Sequence, residues 1–177
     1  MNFPKIEERK ILLMAIGNTA RGDDGLGWRL GEMIADLDMD GINVEFRYQL
    51  QVEDAQLISQ YDAVIFMDAT EEYVEKGFWF SRCLPGNNYY YSSHKQSPEA
   101  LLYLSGELYG KWPDAWILAI GGSDWELGEN LSELAQANLQ TAFYQLKNTL
   151  ARATSLASEL THHKSKVFSI NPNHLVT

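Results

Sequence analysis

An apolar segment, Ile11–Ile16, runs straight into a loop rich in glycine and acidic residues, and a helical pattern follows. A continuous apolar run of this length is typical of a strand buried on both faces, as in a parallel sheet. A glycine-containing loop between a strand and a helix often binds phosphate, because backbone N–H groups meet the anion at the positive helix end. Here the adjacent carboxylates of Asp23 and Asp24 occupy that place and would repel an anion. The junction is therefore better suited to binding a cation, or to holding a carboxylate at the mouth of a cleft.

The rest of the chain alternates short apolar runs with helical patterns. Further strands are predicted at 43–49, 63–67, 77–83 and 115–120, and helices at about 26–37, 54–60, 97–108 and 131–150. Strands that alternate with helices form parallel sheets covered on both faces, because each crossover packs its helix against the sheet. We therefore expect an α/β protein, a three-layer α/β/α sandwich around a five-stranded, mostly parallel sheet. The first strand is expected to be central, since it is the most apolar.

Length and composition indicate one compact domain. The chain has 177 residues, of which 45% are hydrophobic, which is enough for a single core. We expect residues 1–154 to form the domain. From about residue 155 the helical pattern weakens, so 155–177 is interpreted as a tail or surface extension, with a possible short strand at 167–170. The lone cysteine, Cys83, has no partner for an internal disulfide and is expected to be a buried or half-buried thiol.

The charge of the chain restricts its partners. A formal net charge of −10 and a pI near 4.8 argue against nucleic acid and anionic membrane surfaces as partners. No apolar run approaches the roughly 20 residues needed to cross a bilayer. The first residues lack the basic and apolar regions of a signal peptide, so a cytoplasmic location is expected.

Three candidate site residues follow separate apolar segments. Asp24 lies in the loop after the first strand, Asp68 follows the third, and His94 is the one histidine outside the C-terminal region. Function in such folds gathers at the carboxyl ends of the strands. Two carboxylates and an imidazole at that edge would suit a divalent transition metal with open coordination positions. The same set could instead act as general acid and base on a bound water.

Each candidate also has a structural interpretation. Asp24 could cap the following helix, and Asp23 could be a solvated first-turn acid or a hydrogen-bonding residue of the loop. Asp68 could be a turn residue, and His94 an ordinary polar loop residue. Turn geometry and close helix–sheet packing alone could explain the glycines, which are Gly17, Gly25 and Gly27.

Taken together, these motifs resemble one known family, the hydrogenase maturation peptidases. The first motif is Gly17-Asn18-x4-Asp23-Asp24-Gly25-x-Gly27, followed by Asp68-Ala69, Ser93-His94 and the late Leu131-Ser132. The match runs in order over about residues 11–150. In this family a compact α/β endopeptidase removes the C-terminal extension from the large subunit of a nickel–iron hydrogenase after nickel insertion.

The resemblance implies roles for individual residues. Asp24, Asp68 and His94 would contact the nickel carried by the substrate, and Asp24 or Asp68 would be catalytic in an aspartic-type or metal-assisted peptide hydrolysis. The loop motif would bind substrate or set loop geometry through Gly17, Asn18, Asp23, Gly25 and Gly27. No tightly bound cofactor is expected, although a divalent metal could occupy the site. The expected partner is the large-subunit precursor, and we expect the protein to be a monomer.

Two other functions fit the same residues. One is a non-catalytic accessory protein that binds nickel or another divalent cation in the acidic cleft, as a metal chaperone does. The other is a hydrolase of small substrates that shares only the scaffold. The sequence after the second strand, Tyr48-Gln49-Leu50-Gln51, departs from the Asp-Gly-Gly-Thr-like box common in the family. In this respect the chain resembles the members of the family that serve cofactor-linked hydrogenases.

Overall fold

Five strands form a single sheet. The computed structural model describes residues 9–86 and 96–167. The strands are β1 (Ile11–Ile16), β2 (Ile42–Arg47), β3 (Ala63–Thr70), β4 (Phe78–Arg82) and β5 (Asp114–Gly121). Their order is β2-β1-β3-β5-β4, and every neighbouring pair is parallel except β4 with β5. The mostly parallel five-stranded sheet predicted from the sequence is confirmed.

The predicted central position of β1 is wrong. The middle strand is β3, which lies between β1 and β5, whereas β1 lies between β2 and β3. Both strands consist of buried apolar residues over most of their length. Apolar content shows that a strand is interior, but the crossovers determine which interior strand is in the middle.

Helices cover both faces of the sheet. They are α1 (Leu26–Ala35), α2 (Asp54–Ile58), α3 (Pro98–Tyr109) and α4 (Glu133–Val167), and a single 3₁₀ turn, Gly22–Gly25, precedes α1. One core lies between the sheet and α1 with α4, and includes Leu30 and Leu139. The second lies between the sheet and α2 with α3, and includes Phe66 and Leu101. The three-layer α/β/α sandwich is therefore confirmed.

The helix ends follow local chemistry. Ser97 caps α3 by accepting a hydrogen bond from the Ala100 N–H, and Pro98 occupies the first turn, as the sequence indicates. The cap of α4 is Ser132, whose hydroxyl accepts from the Ala135 N–H at 3.1 Å. The helix therefore begins at Glu133, two residues later than the predicted start at about 131.

The last helix is longer than its hydrophobic pattern. Leu146 and Leu150 of α4 are buried in the core. The backbone stays helical well beyond them, to Val167. The sequence had suggested a tail or surface extension from residue 155, because the hydrophobic periodicity weakens there. The possible strand at 167–170 is wrong at Val167, and its other residues lie outside the described part of the chain. Within 9–86 and 96–167, no helix is long and apolar enough to span a membrane.

Candidate functional site at the carboxyl edge of the sheet

Two glycines allow the loop after β1 to fold tightly over the strand ends. Gly17 has φ +136°, and a Cβ there would lie 1.9 Å from the Asp24 carbonyl oxygen. At Gly27 a Cβ would lie 2.4 Å from the Ile16 oxygen and 2.3 Å from the Met67 oxygen. Only glycine permits such close approach of backbone to backbone. The first turn of α1 therefore packs directly on the carboxyl ends of β1 and β3.

The Asp24 side chain belongs to this loop and does not cap a helix. Its Oδ2 accepts a hydrogen bond from the Asn18 N–H at 3.1 Å, and the residue is half-buried. Neither the 3₁₀ turn nor α1 has a side-chain cap at its start. The interpretation of Asp24 as a helix cap is therefore wrong. Its carboxylate is held beside the end of β1, where the sequence had placed a candidate ligand.

Asp68 lies within β3, two residues before the strand ends, and not in a turn. It pairs with Ala119 of β5, and it follows the Ala15–Met67 pair of β1 and β3 by one residue. The side chain is half-buried, and its Oδ1 accepts from the Ala69 N–H at 2.8 Å. Because β1 and β3 are neighbours in the sheet, about 4.8 Å apart, Asp68 and the Asp24 loop meet at one edge.

The third member of the predicted triad, His94, lies outside the described residues. Two positions later the described chain resumes, and the Gln96 N–H donates to the Leu50 oxygen at 3.4 Å. Leu50 follows β2 at the same carboxyl edge. Among the residues that the structure describes, no three His, Cys, Asp or Glu side chains are grouped to hold a metal ion. Convergence of His94 with the two acids therefore stays a prediction.

Asp23 has a different role from its neighbour, because its side chain is fully buried. Oδ2 accepts from the N–H groups of Ser123 and Asp124 at 2.7 and 2.9 Å, and from the Ser132 hydroxyl at 2.7 Å. Oδ1 accepts from the Ser132 N–H at 2.8 Å. A single carboxylate thus joins the loop after β1, the loop after β5 and the start of α4.

These hydrogen bonds determine the charge state of Asp23. Burial by itself would raise the pKa of the carboxyl, but the bonds from Ser123, Ser132 and Asp124 stabilise the carboxylate and hold its pKa below the ordinary value. The interpretation of Asp23 as a solvated acid is wrong, and that of a hydrogen-bonding loop residue is confirmed. The contacts of Asp23 with Ser123 and Ser132 had not been predicted from the sequence.

The loop after β5 is attached to the loop after β1 by its backbone as well. The Gly22 N–H donates to the Gly128 oxygen at 2.7 Å, and the Asp23 N–H donates to the Asp124 oxygen at 2.8 Å. The N–H groups of Ser123 and Asp124 donate to the Asp23 carboxylate. These backbone groups therefore have a structural role, which is to hold the two loops together.

Cys83 is a core thiol with no nucleophilic character. Its side chain is buried, and burial, together with the nearby charge of Glu99, raises the thiol pKa to about 12. We expect native protein to react with Ellman's reagent at pH 8 far more slowly than unfolded protein, because little thiolate exists. The rate of absorbance increase with and without denaturant measures this, and equal rates would contradict the assignment.

Comparison with known proteins identifies the fold. No protein-family model matches the sequence, and no curated protein is significantly similar to it. The hydrogenase maturating endopeptidase HybD from Escherichia coli superposes with a TM-score of 0.65 at 16% identity, over 81% of this chain and 93% of that one. The fold is that of the hydrogenase maturation endopeptidases.

Two archaeal structures agree with this maturation-endopeptidase fold. The [NiFe] hydrogenase maturation protease HycI from Thermococcus kodakarensis matches with a TM-score of 0.61 at 22% identity, over 82% of this chain and 92% of that one. A hydrogenase 2 maturation peptidase from a Thaumarchaeota archaeon matches with a TM-score of 0.59 at 18% identity, over 80% and 98%. At these identities the likeness concerns the fold, and the fold class expected from the sequence is the one observed.

Proposed function

We propose that the protein is an endopeptidase that removes the C-terminal extension of a nickel–iron hydrogenase large subunit after nickel insertion. The observation that supports this best is the placement of two half-buried carboxylates, Asp24 and Asp68, at one edge of a maturation-endopeptidase fold. Ligand sites of open α/β sheets lie at this edge. Named relatives of the same fold, including HybD and HycI, are hydrogenase maturation proteases.

The metal in this proposal belongs to the substrate. Asp24, Asp68 and His94 would supply two oxygens and one nitrogen, which is too few for a closed structural site and leaves positions for groups of the client. Nickel already bound in the large subunit would then complete the contact between the two proteins. An unloaded client would lack this contact, so cleavage would follow nickel insertion.

The chemistry requires a group that activates water. In the proposed step a carboxylate of Asp24 or Asp68 takes a proton from a water molecule. The oxygen of that water attacks the scissile carbonyl carbon. The proton is then passed to the leaving amine as the C–N bond breaks. An alternative role for the substrate's nickel is to polarise the scissile carbonyl as a Lewis acid. In both cases replacing either carboxylate stops the reaction.

A cleavage assay separates the proposed peptidase from its two rivals. Nickel-loaded large-subunit precursor is incubated with catalytic amounts of the protein, and intact mass is followed with time. A peptidase releases the extension as one fragment, whereas a metal chaperone leaves the precursor mass unchanged and acquires nickel itself. A small-substrate hydrolase does neither. Unchanged precursor mass over many hours at saturating protein would contradict the peptidase assignment.

A further inference from the structure

In the described part of the chain, β4 is an edge strand, and one side of its backbone has no strand partner. In its antiparallel pairing with β5, the Gly121 N–H donates to the Gly77 oxygen at 3.0 Å, and the Cys83 N–H donates to the Ala115 oxygen at 2.9 Å. Hydrogen-bonded pairs alternate along such a ladder. Odd-numbered residues of β4 therefore bond to β5, and the N–H and C=O groups of Phe78, Phe80 and Arg82 point outward. Among the described residues, β4 has β5 as its one strand neighbour, and no loop N–H or C=O bonds to the backbone of Phe78 or Phe80.

Proteins usually protect such an edge, and β4 has little protection. Charged side chains, prolines or bulges normally prevent pairing with another chain. The opposite edge strand, β2, has Glu45 and Arg47. Strand β4 has the sequence Phe-Trp-Phe-Ser-Arg. Its one charged side chain, Arg82, pairs with Asp114 and lies 4.7 Å from the Trp116 ring centroid. The backbone edge is thus flanked mainly by aromatic residues.

An open groove lies beside this edge, between β4 and α4. It has a volume of about 670 Å³ and is lined by Phe78 and by α4 residues that include Gln140, Tyr144 and Gln145. The side-chain amides of the two glutamines can donate hydrogen bonds to a bound chain and accept them from it. Tyr144 is 61% exposed, so its ring is accessible from the groove. Lys76 is the one charged residue of the lining in a chain whose net charge is −10. The groove therefore favours a neutral or acidic extended segment.

The edge begins near the two candidate site carboxylates. Ala119 of β5 pairs with Asp68 on one side and with Trp79 of β4 on the other. Asp68 and the start of β4 are thus two strands apart, about 10 Å. A chain that runs along β4 toward its first residue reaches the carboxyl edge where Asp24 and Asp68 lie.

We propose that the free edge of β4 and the adjoining groove form a docking site for an extended segment of the protein client, which pairs with β4 as a sixth strand. Unbonded, alternating N–H and C=O groups select an extended backbone, and the groove beside Phe78 receives the client's side chains. That the client is the large-subunit precursor rests on the proposed function. Docking here holds the precursor while its nickel and scissile bond meet Asp24 and Asp68.

Hydrogen exchange on the wild-type protein tests this without any substitution. Adding the nickel-loaded precursor should slow exchange of the Phe78 and Phe80 amides, and the amides on the free edge of β2 should not change. Exchange that is unaltered by saturating precursor overturns the proposal. Protection that grows with protein concentration in the absence of precursor also overturns it, because the occupant is then a second copy of this chain.

A charged variant gives the functional measurement. Phe80 is 38% exposed, and Phe80→Lys places a charge at the edge where the client strand would pair. We expect KM for the precursor to rise about tenfold, as loss of about 1.4 kcal/mol of binding would produce, with kcat unchanged within about twofold. Asn43→Lys, an exposed change on the opposite edge strand, should leave KM unaltered.

The two proposals fail in different ways. If wild-type protein cleaves the precursor, and if KM is unaltered in Phe80→Lys and the edge amides are not protected, the docking site is wrong and the peptidase assignment stands. If the precursor is never cleaved yet protects the Phe80 amide, the docking site is supported and the peptidase assignment is wrong. Melting temperatures of both lysine variants show whether a raised KM reflects unfolding of the variant.

Discussion

Asp24→Asn and Asp68→Asn should each reduce processing of nickel-loaded precursor by about 10²–10⁴-fold, the range that general acid–base groups contribute. Asparagine keeps the size of the side chain but cannot accept a proton from water, and it is a weaker ligand for a divalent ion. Stability should change by less than about 1 kcal/mol, because an amide oxygen can still accept the 3.1 Å bond from the Asn18 N–H. Single-turnover rates by intact mass, with melting temperatures, measure both effects.

The matched control for these variants is Asp36→Asn, an exposed acid that directly follows α1, at the opposite end of that helix from the loop after β1. It removes one negative charge without changing the candidate site, so processing should stay within about twofold of wild type. His94→Ala should reduce processing as strongly as the two Asn variants do. Near-normal rates in Asp24→Asn and Asp68→Asn would show that neither carboxylate takes part in the reaction.

Asp23→Ala should instead destabilise the whole domain, by about 2–4 kcal/mol, because four hydrogen-bond donors lose their acceptor. Those donors belong to the loop after β5 and to the start of α4, so the loop after β1 loses its attachment to both. Denaturant unfolding of the variant beside wild type measures the difference. A change below about 0.5 kcal/mol would contradict the structural role of this carboxylate.

The pH dependence of this effect has a definite sign. Because the pKa of Asp23 is lowered in the folded protein, its contribution is complete above about pH 4, the ordinary aspartate pKa. It is lost as pH falls through the lowered value, since the carboxylate must then be protonated. The stability difference between wild type and Asp23→Ala should therefore be constant at neutral pH and narrow in acid. A difference that widens in acid would contradict the sign.

The strand–loop–helix junction could be predicted because local forces determine it. The apolar run Ile11–Ile16 has to be buried, and a tight turn onto the first helix requires small residues such as Gly17 and Gly27. The helix predicted at about 97–108 is observed at Pro98–Tyr109, because Ser97 and Pro98 determine its start. These features involve residues that are near one another in sequence.

The family resemblance assigned Asp24 to the metal site and Asp23 to the loop, but the hydrogen-bond partners of Asp23 could not be predicted, because they lie far away in the chain. The two acids are adjacent in a 3₁₀ turn, where successive side chains point about 120° apart. One therefore faces the protein interior and the other the edge, and the buried one is Asp23. The partners of Asp23 are Ser123 and Ser132, separated from it by 100 and 109 positions.

The central claim is that this protein cleaves a client only after the client has bound nickel. The most direct test is to compare nickel-loaded and nickel-free large-subunit precursor, at equal concentration and with the same wild-type protein, by intact mass. We predict that loaded precursor loses its C-terminal extension and that nickel-free precursor stays intact until nickel is inserted. Cleavage of both forms at the same rate would contradict recognition of the substrate's metal, even if the peptidase assignment were correct.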